Sequence, residues 1–400
     1  MKNIRNDFPF INNRIENKPI IYFDSACQTL RPKQVIDETI KYYTEFSSCG
    51  GRSSHKLAKI TTEKVEKVRE DISKFFNANN SDEIVFIKNT TEGLNIVARS
   101  FGLKKGDVVI TSKKEHNSNL VPWLDLERKI AIRRIQIDFD DYFDMEAFKQ
   151  IINKNIKLVS VVQTSNIDGT STPIKEIIKI SHENNVPVLV DGAQSAPHTK
   201  IDLKKIDADF FVCSGHKMLG PSGTGILYGK YKSLNNLENF VSGGDSVEET
   251  TYDSYIPKCS PGKFEAGLQN YSGIFGLGAA IKYLNKIGMD QVQDHVFRLN
   301  TLVTKKLKNY QKLKILGPYE PKKRSSIYGF NIQGFFPNDI SDYVEKTNNI
   351  MIRSGFHCCH SWFKAHNMNG SARASFYIYN TKEECKKFID DIEELVNFIK

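Results

Sequence analysis

The 400-residue sequence predicts an α/β protein, with a mostly parallel sheet covered by helices on both faces and a smaller α+β domain after it. Three observations carry that prediction. From residue 30 to about 285, short apolar runs alternate with helix-period segments, the mark of βαβ units. After Tyr271 this rhythm gives way to two long helical stretches. Hydrophobic residues make up 40 % and charged residues 26 %, enough apolar surface for a sizeable core and too much for disorder.

The elements follow in chain order. Lys33 to Phe46 and Thr61 to Phe76 carry apolar residues at helical spacing. Glu83 to Ile87 reads as a strand, with a helix over Glu92 to Ser100. Asp107 to Thr111, Lys157 to Val162, Pro187 to Val190 and Asp209 to Val212 read as short buried strands, and Gly220 to Gly225 as a glycine turn into a strand at 225–228. Thr172-Pro173 starts a helix over Ile174 to Asn184. Helices from Tyr271 to about Lys286 and from Asp290 to Tyr310 lead into strands near Ile327 to Ile332 and Ala372 to Tyr379. Two more helices, Asp339 to Thr347 and Lys382 to Ile399, complete the chain. The expected division is a large domain over 20–285 and a small one made of 1–19 and 286–400.

Several function classes recede. No apolar run approaches the roughly 18 residues of a membrane span. Met1 to Phe10 lacks the apolar core of a signal peptide. A cytoplasmic, unanchored protein is expected. The net charge is +9, but Lys41, Lys56, Lys59, Lys64 and Lys67 are scattered among carboxylates. That pattern is a solvated surface, without the interleaved aromatic and basic residues of an RNA binder. The seven cysteines (Cys27, Cys49, Cys213, Cys259, Cys358, Cys359 and Cys385) are odd in number and suggest no disulfide framework. Most are expected to be small buried hydrophobes, with at least one a nucleophile.

The chemistry should follow the strands, because ligands of doubly wound sheets sit beyond their carboxyl ends. One strand ends in Asp191, followed by Gly192, Ala193 and Gln194. Another runs into Ser214, Gly215, His216 and Lys217. Alone, the two fit a structural ion pair equally well. A pyridoxal-phosphate enzyme needs both: an amine to attach the cofactor and a carboxylate to keep its pyridine nitrogen protonated. It also needs a phosphate cradle, and Thr90-Thr91 at a helix start offer one, although alone they read as an N-cap. His116, in the loop after a strand, reads either as a solvated histidine, the ordinary case, or as one lying against a ring face. Gly220 to Gly225 lacks the Gly-Lys-Ser/Thr end of a P-loop.

These segments, with Phe264-Glu265-Ala266-Gly267 and Ala372-Arg373-Ala374-Ser375, resemble in the same order the SufS-type cysteine desulfurases. Those are class V members of the fold-type-I pyridoxal-phosphate enzymes, and the resemblance runs from about Tyr22 to the C-terminus. It implies a seven-stranded large-domain sheet and a homodimer. It makes Lys217 the cofactor's anchor, Asp191 the partner of its pyridine nitrogen and Gln194 that of its ring hydroxyl, with His116 stacked on the ring. Thr90, Thr91, Ser214 and His216 would hold the phosphate, Asn166 would sit beside cofactor and substrate, and Arg373 would clamp the substrate carboxylate with Arg353 near it. Cys358 matches the persulfide-forming cysteine, and Arg353, His357 and His360 are expected to favour its thiolate. A metal site from Cys358, Cys359, His357 and His360 is disfavoured, since adjacent ligands chelate poorly.

The implied reaction takes L-cysteine to L-alanine and passes the sulfur to a thiol acceptor, an iron–sulfur scaffold or a sulfur carrier. The alternatives are another class V aminotransferase, lyase or epimerase, a selenocysteine lyase, or a basic nucleic-acid-binding protein. The chain departs from the pattern at Leu268, where a threonine usually reaches the partner subunit's phosphate, at Gly51, where a histidine is common, and at Cys359. Cys49 is either a second active-site thiol or a packed one.

Overall fold

A computed structural model describes residues 4–398 of the chain. Met1 to Asn3, which opened the N-terminal reading, and the expected helix end at Ile399 lie outside the described residues.

The large sheet has seven strands: β1 (Ile84–Ile87), β2 (Val108–Ser112), β3 (Arg133–Ile137), β4 (Ile156–Val162), β5 (Val188–Asp191), β6 (Phe210–Ser214) and β7 (Gly225–Gly229). Their order is β1-β7-β6-β5-β4-β2-β3. Only β7 runs against its neighbours, so the other six point one way. Alternation along β5 builds both faces: Val188 and Val190 enter one apolar cluster, Leu189 the other. The strand missing from the sequence reading is β3. It lies at the edge and begins Arg133-Arg134, charge that blunts an open edge and hides the strand pattern.

The covering helices are α1 (Lys33–Lys41), α2 (Lys56–Phe75), α3 (Thr90–Ser100), α4 (Asn117–Ile130), α5 (Ile174–Glu183), α6 (Tyr271–Ile287) and α7 (Met289–Leu307). The helix expected to reach Phe46 stops at Lys41 and continues as one wider turn over Tyr42–Phe46. That expected from Thr61 begins at Lys56, because His55 Nδ1 accepts the Ala58 amide at 3.3 Å. Sequence reasoning missed α4, which carries Pro122 inside it.

The second sheet is antiparallel: β8 (Leu313–Ile315), β9 (Ile327–Ile332), β10 (Arg353–Gly355) and β11 (Ser371–Ser375), in the order β8-β9-β11-β10. It packs with α8 (Pro337–Asn348) and α10 (Lys382–Phe398); the short α9 (His360–Ala365) precedes β11. The strand expected to run to Tyr379 ends at Ser375, and Tyr377 and Tyr379 turn into the large sheet's core. Among the described residues no helix is long and apolar enough to cross a membrane.

Candidate active site

Beyond the carboxyl ends of the strands lies a cavity of about 220 Å³. The chain leaves β2 toward the β3 edge but leaves β4 toward β5, and that divergence opens a crevice in the sheet. Each strand delivers one group. β5 ends in Asp191, which Gly192 seats tightly: a Cβ there would come within 2.0 Å of the Phe211 ring. β6 ends in Ser214, and the turn Gly215–Lys217 brings Lys217 to the cavity wall. After β2, His116 caps α4; after β4 comes Asn166. After β1 the helix cap is Asn89, not the threonine pair, with its Oδ1 accepting the Glu92 amide at 3.0 Å. Thr90 and Thr91 therefore occupy the first turn of α3, facing the cavity.

The electrostatics suit an anionic, ring-shaped guest. Burial holds the Lys217 amine below its ordinary range, against the pull of Asp191, a shift that favours its free base. Burial raises the Asp191 carboxyl, opposed by the Ala193 amide (2.9 Å) and Lys217. His116 is pushed down to about 3 by burial and then by Lys217, Arg353 and Arg373, so its ring is neutral. Its Nδ1 accepts the Ser118 amide at 3.0 Å, which leaves the proton on Nε2. His216 is likewise lowered to about 4, first by burial.

These residues fit pyridoxal phosphate. Gln194 Oε1 is buried with no partner, although its Nε2 donates to Ala26 O at 2.8 Å, so the side chain is held with its acceptor free. Arg373, 1 % exposed, has an unpartnered Nε, and His357 an unpartnered Nδ1; both residues line the same cavity. At the α3 terminus Ser214 Oγ accepts the Thr90 amide at 2.8 Å, and Thr91 Oγ1 meets Ser118 Oγ at 2.7 Å. Backbone amides, hydroxyls and His216 thus gather where a phosphate gains from the helix dipole.

The small sheet supplies the opposite wall. Arg353 on β10 stands directly across from Arg373 on β11. Like charges so paired repel, and an anion between them relieves the repulsion. Arg373 Nη2 meets Asp24 Oδ1 at 3.1 Å, and its Nη1 donates to Asn166 O at 2.9 Å. Arg353 turns to sulfur instead: Nη2 reaches Cys358 Sγ at 3.7 Å and Nη1 reaches Cys27 Sγ at 3.5 Å. The loop holds His357 and Cys358 at φ 47° and 59°, and Asn117 N–H donates to Cys358 O at 2.7 Å.

Two expectations need correction. His357 does not serve Cys358 with charge, and the His360 ring is engaged elsewhere. Burial holds His357 well below its ordinary range and its Nε2 engages Ser371 at 2.9 Å, while His360 stacks on Phe356. Of the three residues, only Arg353 has a contact with that sulfur. Nor are most thiols buried: Cys213, Cys359 and Cys385 are, whereas Cys27 and Cys259 are exposed and Cys49 and Cys358 half-buried. Cys359 donates to Asn166 Oδ1 at 3.2 Å, and burial pushes its thiol up to about 12.

The cavity lining includes Cys27 and not Cys49, while Cys358 adjoins it through Arg353. The available signal for Cys27 was a position five residues after the short strand Ile21–Tyr22, in the turn Asp24-Ser25-Ala26-Cys27. Gly51 has φ +74°, a conformation a histidine would adopt only under strain, and Leu268 is 64 % exposed.

The family profile of the class-V aminotransferases matches residues 21–388. A probable cysteine desulfurase of Synechocystis sp. is 38 % identical over 99 % of this chain and 95 % of its own length. Among solved structures, the apo cysteine desulfurase of Thermococcus onnurineus NA1 superposes with a TM-score of 0.94 at 35 % identity, covering 100 % of this chain and 98 % of the other. The cysteine desulfurase CsdA of Escherichia coli, in an S-sulfonic acid form, gives 0.89 at 29 % identity, over 99 % and 98 % of the two chains.

Proposed function

We propose, for a chain that belongs to the class-V aminotransferase family and is a pyridoxal-phosphate-dependent cysteine desulfurase, that Lys217 moves the substrate proton and Cys358 takes the sulfur. The observation that carries this reading is the meeting of Lys217, Asp191 and Arg353 around one cavity, with Cys358 Sγ 3.7 Å from the Arg353 guanidinium. When bound, the cofactor supplies an electron sink for charge developing at the substrate Cα.

The residues divide the remaining work. Thr90, Thr91, Ser214 and His216 would hold the phosphate, Gln194 the ring hydroxyl and Asp191 the pyridine nitrogen; a cation beside Asp191 would offset the burial of its carboxylate. His116, neutral and pinned by the Ser118 amide, would cover a ring face without adding charge. Arg373 binds the carboxylate of L-cysteine, positioned by Asp24 and Asn166 O. Lys217, its amine lowered by burial, accepts the Cα proton as general base. The Cys358 sulfur attacks the substrate Sγ; a Cys358 persulfide forms as the Cβ–Sγ bond breaks, and the remaining fragment takes up protons to become L-alanine.

A thiol acceptor, an iron–sulfur scaffold or sulfur-carrier protein, then receives the sulfur. A second copy of the chain would cover exposed apolar residues such as Tyr252, Ile256 and Leu268. Seven unpaired cysteines suit a reducing compartment, the cytoplasm. The test is a product assay on purified holoenzyme with L-cysteine and a reductant. Equal alanine and sulfide are expected, with both abolished in Cys358→Ala. Pyruvate with sulfide, or wild-type alanine and sulfide from Cys358→Ala, would overturn the assignment.

A further inference from the structure

Cys27 is the second sulfur on the Arg353 guanidinium. Nη1 lies 3.5 Å from Cys27 Sγ while Nη2 of the same group lies 3.7 Å from Cys358 Sγ. The two sulfurs are thus separated by no more than two contacts and the width of one planar fork. Neither is in a disulfide, and Cys27 lines the cavity that holds Lys217 and Arg373. Its turn is braced from three sides. Ala26 N–H donates to Ser375 Oγ at 2.9 Å, Ala26 O accepts from Gln194 Nε2 at 2.8 Å, and Ser25 Oγ meets Tyr379 Oη at 2.8 Å. The same Gln194 presents its unpartnered, buried Oε1, so the turn is built against a group that awaits a ligand.

The two thiols differ in access: Cys358 is half-buried and Cys27 exposed. A persulfide on Cys358 extends its reach by one S–S bond, roughly 2 Å. From this geometry we propose that Cys27 is the first acceptor of the sulfane sulfur, an internal relay that carries it from the half-buried Cys358 to the exposed mouth of the site. The inference rests on the reading of Cys358 as the sulfur-abstracting thiol.

The step is a thiol exchange. The Cys27 sulfur attacks the outer sulfur of the Cys358 persulfide. A Cys27 Sγ–S bond forms as the Cys358 Sγ–S bond breaks, and Cys358 departs as thiolate beside Arg353. The Cys27 thiol proton is released to solvent as the attack begins, and the transferred sulfur keeps its own. One S–S bond replaces another, so no oxidant or reductant is consumed. Cys358 is then free for a second L-cysteine while Cys27 remains loaded, and Arg353 stays next to the negative sulfur before and after transfer.

The test uses holoenzyme given a few equivalents of L-cysteine without reductant or acceptor protein, then alkylated and mapped by mass spectrometry while alanine is counted. Wild type is expected to carry sulfane sulfur on Cys27 and Cys358 and to yield a burst of two alanines per chain. Cys27→Ala should carry it on Cys358 alone and halve the burst. Cys259, exposed and not among the residues that line this cavity, is the internal control. Sulfane sulfur confined to Cys358 in wild type, a one-alanine burst in both proteins, or labelling of Cys259 equal to that of Cys27 would overturn the relay. No sulfane sulfur on either cysteine and no alanine would overturn the Cys358 reading itself, and the relay with it.

Discussion

At Cys358 and Cys359, neighbours in sequence, the backbone sends two identical thiols into opposite surroundings. Cys358, with φ 59°, turns toward Arg353, whereas Cys359 is packed beside Ile167, Trp362 and Phe363. Burial raises the Cys359 thiol to about 12, and its proton is already given to Asn166 Oδ1. Thiolate chemistry at neutral pH is therefore closed to it. Cys359→Ser should keep turnover near that of the wild type, because a hydroxyl can make the same bond to Asn166; steady-state alanine formation checks this. Cys358→Ala, by contrast, should abolish it. The matching of Cys358 to the family's cysteine was legible in the chain, but the inertness of Cys359 was not, since depth decides it.

At the scale of elements, the segment Phe264-Glu265-Ala266-Gly267 shows what a sequence motif can be for. Glu265 takes Arg69 of α2 in a two-point pair, 2.7 and 2.9 Å, and also accepts the Phe86 amide of β1 at 2.8 Å. One carboxylate thus ties a helix, a strand and a loop together. Arg69 is only 2 % exposed, and the carboxylate supports its charge against the cost of burial. Glu265→Ala leaves that guanidinium with only the exposed Glu66 and a carbonyl for partners. The expected loss is about 3–5 kcal/mol of stability, read from the denaturant midpoint. Strand and helix identities were legible from periodicity, which local side-chain order sets. Edge strand β3 and the proline-bearing α4 were not, because charge and Pro122 contradict the local signals that tertiary packing then overrides.

Across the whole molecule, the two sheets are joined by buried polar contacts as well as by apolar packing. His198 meets Ser326 Oγ at 2.9 Å and packs edge-on against Tyr377, linking the large sheet to the C-terminal segment. Burial, with Lys217 nearby, lowers His198 to about 3 from its ordinary 6.5. In the unfolded chain it binds a proton below pH 6.5; in the folded chain it does not until about pH 3. Its contribution to stability is present above pH 6.5 and is lost as pH falls toward 3. In His198→Gln that pH dependence is removed. The stability of wild type relative to the variant should therefore decline on acidification, by at most about 1.4 kcal/mol per pH unit. Equilibrium unfolding at pH 7, 6 and 5 measures it.

The order of apolar runs and strand-end residues contained the α/β architecture, the convergence of Asp191 and Lys217 on one cavity, and the candidate phosphate cradle. These are readable because each lies at the end of its own strand, and a parallel sheet aligns such ends on one edge. The pairing of Arg353 with Arg373 and the sharing of one guanidinium by Cys27 and Cys358 come instead from tertiary structure. Cys27 and Cys358 lie 331 residues apart, and no local periodicity encodes a contact made only when a second sheet folds back against the first.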